Sequence, residues 1–546
     1  MMRHKSPSKR PRMTLNHRSS IDIDAHEIVS AIHQSVTTKQ RLGCLHQLFC
    51  LLGYDDMTRC CDADPSVFLE LTQAGVVNSL CLQLGFVLHR HGSSQEELGH
   101  ICFALELFYT HCPHLVTEES LKQLAGSDNL FLQLLLTSFA RGVILPVLST
   151  LHATSGSNYG TLMLLQFAGL LPILVEVLQK KLEGENGLME TLGLLKNLTY
   201  YGEDYRQRFV EQPGLLSTLT RIPFSDYAND KAQERLSAVF RNIAISPDTR
   251  ILLAQQPDVL SALARMTSYD NRHTLRNTLN TLVSLAMDGD SCLFLVFHGD
   301  GILIEAMKRL VTHDGDEVIR KRAARALRLM ARDTSAPLLV HDTRLMETLS
   351  NRALHDTSND VRIEAAEAFA RCAGLIKAPM AQHEAILDAL THLANSPSVL
   401  PEVMARALKD QASHPENRIP MAQRNKLLAA LARIAMSAEA PRIAKEDVCL
   451  ALLDLCSEEE NRTTLATPSM LNALVQNAVG RREDHRSLRE NSIQTLLSLA
   501  LIPSNRKKMA NHASLLQALL QFAAATADSD LKKKVKAVIL QLAAEL

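Results

Sequence analysis

The chain has no tryptophan, and only 4% of its 546 residues are aromatic. Without large aromatic anchors, tight binding has to rest on charge complementarity or on a large folded partner. An excess of either charge is missing too: 58 Lys and Arg face 59 Asp and Glu, a formal net charge of −1. No global field therefore gathers nucleic acid or draws the chain to a membrane surface. No C-x-x-C pair occurs among the eleven cysteines, seven of which precede residue 113. An odd, unpatterned set of this kind reads as reduced core thiols in a cytoplasmic or nuclear protein. The N-terminus lacks the apolar core of a secretory signal. The most lipid-like stretch, residues 161–178, is broken by Gln166, Pro172 and Glu176, so no membrane insertion is expected. Also missing are G-x-x-x-x-G-K-[ST], G-x-G-x-x-G after a strand, H-E-x-x-H and G-x-S-x-G. The expectation is a protein that is not an enzyme and needs no cofactor or metal.

What is abundant is leucine and alanine, both strong helix formers, in a repeating arrangement. One series opens on a turn residue followed by apolar residues at helical spacing. It runs from Gly75-Val-Val-Asn-Ser-Leu80 through Gly169-Leu-Leu-Pro-Ile-Leu174 and Gly214-Leu-Leu-Ser-Thr-Leu219 to Asp258-Val-Leu-Ser-Ala-Leu263 and Gly301-Ile-Leu-Ile-Glu-Ala306. From Gly169 the steps are 45, 44 and 43 residues. A second series, one helix further on, is anchored at Leu195, Phe240, Leu282, Leu327, Phe369, Leu408, Leu452 and Leu496, on average 43 residues apart. A third marker, Asn417-Arg418, Asn461-Arg462 and Asn505-Arg506, recurs every 44 residues. Each period offers two or three amphipathic helices whose apolar faces are too large to hide alone. Stacking on the neighbouring periods buries them.

These segments resemble the armadillo repeat superfamily. Residues 169–178, Gly-Leu-Leu-Pro-Ile-Leu-Val-Glu-Val-Leu, are similar to the second helix of an armadillo repeat. Leu195-Lys-Asn-Leu-Thr199 and Phe240-Arg-Asn-Ile-Ala244 are similar to the end of its third helix. Two segments lean toward the related HEAT pattern, beginning at Asp316-Glu-Val and Asp360-Val-Arg. The resemblance covers residues 165–546 and implies an all-α, right-handed α-solenoid of about 8–10 repeats. Residues 1–20 then form a disordered basic arm, 21–160 divergent helical N-terminal repeats, with a separate helical domain as the competing reading, and 161–546 the solenoid. Lys532, Lys533, Lys534 and Lys536 solvate a C-terminal capping helix expected to start at Leu531. Thr154–Gly160 reads as a small-residue loop.

In the armadillo family the third helices line a concave groove that holds an extended peptide. The resemblance therefore implies groove positions two residues after each anchor and one turn earlier, i and i+4 on one face. The candidate partner-binding residues are Asn197, Arg235, Asn242, Arg276, Asn277, Asn280, Arg322, Arg325 and Arg371. Asparagine can pair with a peptide backbone. The arginines, densest from Arg320 to Arg332, suit an acidic or phosphorylated segment. The competing reading of that run is a solvated helix face.

Importin alpha is the tempting member, but its groove needs tryptophan four residues before asparagine. Here those places hold Gly193 and Ala238, which argues against a nuclear transport adaptor. The expected function is a scaffold or adaptor that binds other proteins or peptides. The rivals are a HEAT-like lyase, such as a chromophore lyase, and a regulatory subunit of an enzyme. Nucleic acid is a weaker candidate partner, through the Arg320–Arg332 helix. Six Lys and Arg and no acid occupy the first 20 residues, and Lys9, Arg10, Pro11 and Arg12 resemble a nuclear-localisation signal. His100, Cys102, His111, Cys112 and His114 crowd one segment. They fall on and just after an apolar helix and read as core residues, not as zinc ligands.

Overall fold

In the computed structural model the described residues are 25–35, 37–52, 54–55, 60–61, 71, 73–74, 76–89, 95–111 and 144–181. They continue over 185–545 apart from 202, 227, 314, 333, 375–383, 397–399, 480–485, 513 and 526–528. The basic arm with Lys9, Arg10, Pro11 and Arg12 lies outside them, as do Gly75, Cys112 and His114. The chain divides into two compact units, residues 1–170 and 171–546.

The first unit contains the helices Ala25–Gln34, Thr38–Leu51, Val76–His89, Gln95–His111, Ile144–Thr154 and Asn158–Leu165. A two-residue antiparallel pair, Tyr54–Asp55 with Cys60–Cys61, accompanies them. Leu48, Leu84, Leu105 and Phe108 are fully buried. Arg41 and Glu97 pair inside this core with both side chains shielded from water. Thr150 Oγ1 donates to the Cys102 carbonyl at 2.9 Å and ties Ile144–Thr154 to Gln95–His111. The expected loop at Thr154–Gly160 shrinks to a turn at Ser155–Ser157. Ser157 caps the next helix by accepting from Gly160 N. The lipid-like stretch is two helices, broken at Gln166, and no described helix is long and apolar enough to cross a membrane.

The second unit is a stack of helical repeats. Each repeat ends in a long helix, numbered here α1 to α9: Glu185–Tyr201, Asp230–Ala244, Arg272–Met287, Glu317–Met330, Asn359–Gly374, Pro401–Ala412, Arg442–Leu455, Arg486–Ala500 and Ser529–Ala543. Consecutive long helices pack on one another throughout. The second helices, among them Pro257–Met266, Ile302–Val311, Thr343–His355, Asn425–Met436 and Pro468–Ala478, form a parallel row behind them. All eight anchor residues from Leu195 to Leu496 are at most 1% exposed, so the 43-residue period is the period of the core. Two of the glycines that open the first series are needed for their backbone. Gly214 and Gly301 enter their helices at φ 80° and 86°, where a side chain is strained.

The Asn-Arg marker also has a structural cause. The last carbonyls of a helix have no partner inside it. Asn461 Nδ2 donates to Leu455 O at 3.0 Å, and Arg462 Nε to Cys456 O at 2.9 Å, closing the end of α7. Asn505 and Arg506 do the same at Leu499 and Ala500, and Asn417 and Arg418 at Gln411 and Ala412. The helices α6, α7 and α8 are therefore each terminated by side chains of the repeat that follows.

The last helix, α9, starts at Ser529, slightly before the expected Leu531. It buries Val535, Val538 and Leu542 and leaves Leu540 72% exposed. Lys534 pairs with Asp530 on its solvent side at 2.9 Å.

Candidate functional site

The long helices α2 to α6 carry a row of arginines on the layer where the groove is expected. Their environments differ sharply. Arg320, at the head of the basic run, is buried and clamps Asp356 with Nε at 2.9 Å and Nη2 at 3.0 Å. Lys321 meets Asp360 at 2.5 Å, and Arg328 meets Glu364 at 2.6 Å and Glu367 at 3.2 Å. Arg332 donates to the Met287 carbonyl at 3.0 Å. Most of the run from Arg320 to Arg332 is thus engaged in joining adjacent repeats.

Arg322 and Arg325 behave differently. Among the described residues neither makes a hydrogen bond or ion pair, and the same holds for Arg371 on α5. Arg325 and Arg371 are exposed and Arg322 is half-buried. Burial pushes the Arg322 pKa below its usual value, and the nearby guanidiniums of Arg276 and Arg241 push it further. Asp316 opposes that shift, but its carboxylate already accepts from Arg276 Nη2 at 2.8 Å and from Val318 N at 2.8 Å. Those bonds outweigh its own burial and hold Asp316 below the ordinary carboxylate range. Arg371, although its side chain reaches water, is lowered too, first by partial burial of its guanidinium and then by Arg328, with Arg332 and Arg406 adding to it and Glu367 opposing. The result is a band of guanidiniums over four successive helices, from Arg241 to Arg371, with more positive charge than its carboxylates balance. Arg406 extends it to α6, where it reaches Asp447 at 4.0 Å. Beyond it, burial raises the carboxyls of Asp410 and Asp454.

The asparagines fare less well as ligands. Asn242 is fully buried: its Nδ2 donates to Lys196 O at 3.0 Å, and its Oδ1 accepts from Arg241. It holds α2 to α1 and offers nothing to a bound peptide. Asn277 links Ser237 Oγ and Arg241. Arg235 is half-buried and donates to the Met189 carbonyl. Asn197 is half-buried on α1. Asn280 is half-buried, and its amide makes no hydrogen bond among the described residues. Gly193 and Ala238 are buried, so the expected face is closed at α1 and α2 and opens from α3 onward. The sequence reading missed Arg241. It sits one residue after its anchor, off the expected i, i+4 stripe, and only its long side chain brings it to Arg322.

Among the cysteines whose side chains are described, all but the half-buried Cys44 are buried. Cys102 is buried, and burial lifts the Cys449 thiol to about 11 and that of Cys372 to about 12. His100 lies against Phe49 with ring centroids 6.1 Å apart. Among the described residues no three His, Cys, Asp or Glu side chains are grouped to hold a metal ion.

No protein-family model and no curated protein matches the sequence. Solved structures do resemble it. A crystal structure of an engineered protein superposes with a TM-score of 0.55 at 17% identity, over 87% of this chain and 98% of that one. A chain from work on a conserved phosphorylation switch controlling the interaction between cadherin and β-catenin superposes with a TM-score of 0.53 at 12% identity. That match covers 95% of this chain and 94% of the other. At such identities the likeness speaks to the fold alone, and the fold is an armadillo-like α-helical solenoid.

Proposed function

We propose that this chain is a non-catalytic protein-interaction scaffold that holds an acidic or phosphorylated segment of a partner on its long-helix layer. The observation that carries this reading is the imbalance around Arg322 and Arg325: guanidiniums drawn from successive repeats, with Asp316, the carboxylate beside Arg322, already bound to Arg276 and Glu364 and Glu367 already bound to Arg328. Arginine suits carboxylate and phosphate, and such charge-assisted bonds contribute about 1.5–3 kcal/mol each. The likeness to a chain from work on the interaction between cadherin and β-catenin is in keeping with a protein-binding role.

The test is fluorescence anisotropy with a labelled Asp/Glu-rich peptide and its phosphoserine counterpart, using the wild type and an Arg322→Glu/Arg325→Glu variant of matched helicity. Reversing two exposed or half-exposed cations is expected to weaken binding at least ~10-fold. Added salt should weaken the wild-type complex as well. Equal affinity for both proteins, or a preference for a basic peptide, rules the reading out.

A further inference from the structure

We infer a second docking site, distinct from the arginine row, on the second-helix side of the same unit. It takes a partner segment that inserts an apolar side chain between flanking carboxylates. Two cavities of about 460 and 580 Å³ share Phe224 and Ser261 as lining residues and so run together. They cross the second helices Pro257–Met266 and Ile302–Val311 and the turn that carries Phe224.

The apolar part of this groove is held open by construction. Phe224 is 60% exposed although its neighbours Ile222 and Pro223 are buried. Tyr269 OH donates to the Pro223 carbonyl at 2.6 Å, so the turn presenting Phe224 is fixed from the next repeat. Ile302, 49% exposed, lines the same cavity. The floor is polar and neutral: Ser261 Oγ lies 3.0 Å from His298 Nε2, and burial lowers the His298 pKa.

His298 and Gly299 form one wall, and their turn is strained. Asp300 takes φ 54°, the one non-glycine residue with positive φ among the described residues, between Gly299 at 54° and Gly301 at 86°. Strain of this kind persists where the surroundings enforce a particular wall. The occupant's charge follows from the rim. Arg265 lies over the Tyr269 ring, and Arg309 donates to the Thr267 carbonyl at 2.7 Å. Neither has a carboxylate partner among the described residues. Of the lining acids, Glu305 meets Lys308 at 2.5 Å and Asp258 stands in the first turn of its own helix, at the far cavity with Arg221. Arg221, Arg265 and Arg309 thus outnumber Asp258 and a Glu305 already paired with Lys308, and an apolar slot with that excess of positive charge selects an acidic segment with a Leu, Met or aromatic anchor.

The site is tested by selecting a random peptide library displayed on phage against the immobilised full-length chain, then measuring the recovered peptides in solution. The expected peptides carry an apolar residue flanked by Asp or Glu. Their affinity should fall at least ~10-fold in Ser261→Trp, which fills the slot, and in Arg265→Glu/Arg309→Glu, while Arg322→Glu/Arg325→Glu leaves it unchanged. The charge-reversal pair keeps the site falsifiable if Ser261→Trp misfolds. Three outcomes overturn the proposal: no enriched sequence, basic enriched peptides, or peptides indifferent to both groove variants. Peptides lost only with Arg322→Glu/Arg325→Glu would instead assign binding to the arginine row.

Discussion

Asp356 receives two bonds from Arg320 and one from Ser358 N at 2.9 Å, and its side chain is almost wholly shielded from water. Burial alone would raise its carboxyl. The Arg320 hydrogen bonds, the backbone N–H of Ser358 and the charges of Arg320 and Arg352 lower it on balance. Asp316 is lowered by a similar set of donors. A carboxyl whose folded pKa lies below its unfolded value adds stability that is fully present above the unfolded pKa. That stability is lost as pH falls through the folded one. Acid unfolding of the second unit should therefore begin below a pH of about 4. Asp356→Ala leaves Arg320 buried without its partner and is expected to cost about 3–5 kcal/mol at neutral pH. Chemical denaturation of wild type and variant at several pH values checks both points. A variant as acid-sensitive and as stable as the wild type would remove the pair from the account. Asn461, also buried, offers a milder case. Asn461→Ala removes the bond to Leu455 O and should cost about 1–2 kcal/mol by the same measurement.

At the scale of elements, the long helices and their order were legible in the sequence, but the roles of their polar residues were not. Leu195, Phe240 and the other anchors could be found because burial repeats with the period, and apolar residues have only one place to go. Asn242 could not be assigned from its position two residues after Phe240, since its partners Lys196 O and Thr199 Oγ1 lie on the preceding helix. Arg320 had the same difficulty: within α4 it belongs to a basic run, yet its carboxylate partner lies 36 residues further on. One sequence shows the charges along a helix. Only the stacking of helices shows which of them cancel. Of the candidate arginines, Arg276 is taken up by Asp316 of the next repeat, whereas Arg322, Arg325 and Arg371 make no ion pair among the described residues.

Over the whole second unit, stability is a sum of repeats and of the interfaces between them. The helix α3 buries eight side chains from Thr274 to Ala286 between α2 and α4. The helix α9 buries Val535, Val538 and Leu542 among its described residues. Amide hydrogen exchange should accordingly be fastest in α9 and slowest around α3 and α4, with intermediate protection between them. Uniform protection from α3 to α9 would mean that the unit opens as a single block and not repeat by repeat.

The Asn-Arg pairs bear on how such a chain lengthens or shortens. Excising residues 418–461 joins Asn417 directly to Arg462 and restores the same dipeptide. In the shortened chain Asn417 still reaches Gln411, and Arg462 falls to the place from which Arg418 reached Ala412. The helix end at the seam keeps its donors, because those that close one repeat match those that close the next, while the Lys409–Asp447 pair between the repeats is lost. Punctuation of this kind lets a whole period be removed without leaving the preceding helix end uncapped, so length can change one repeat at a time.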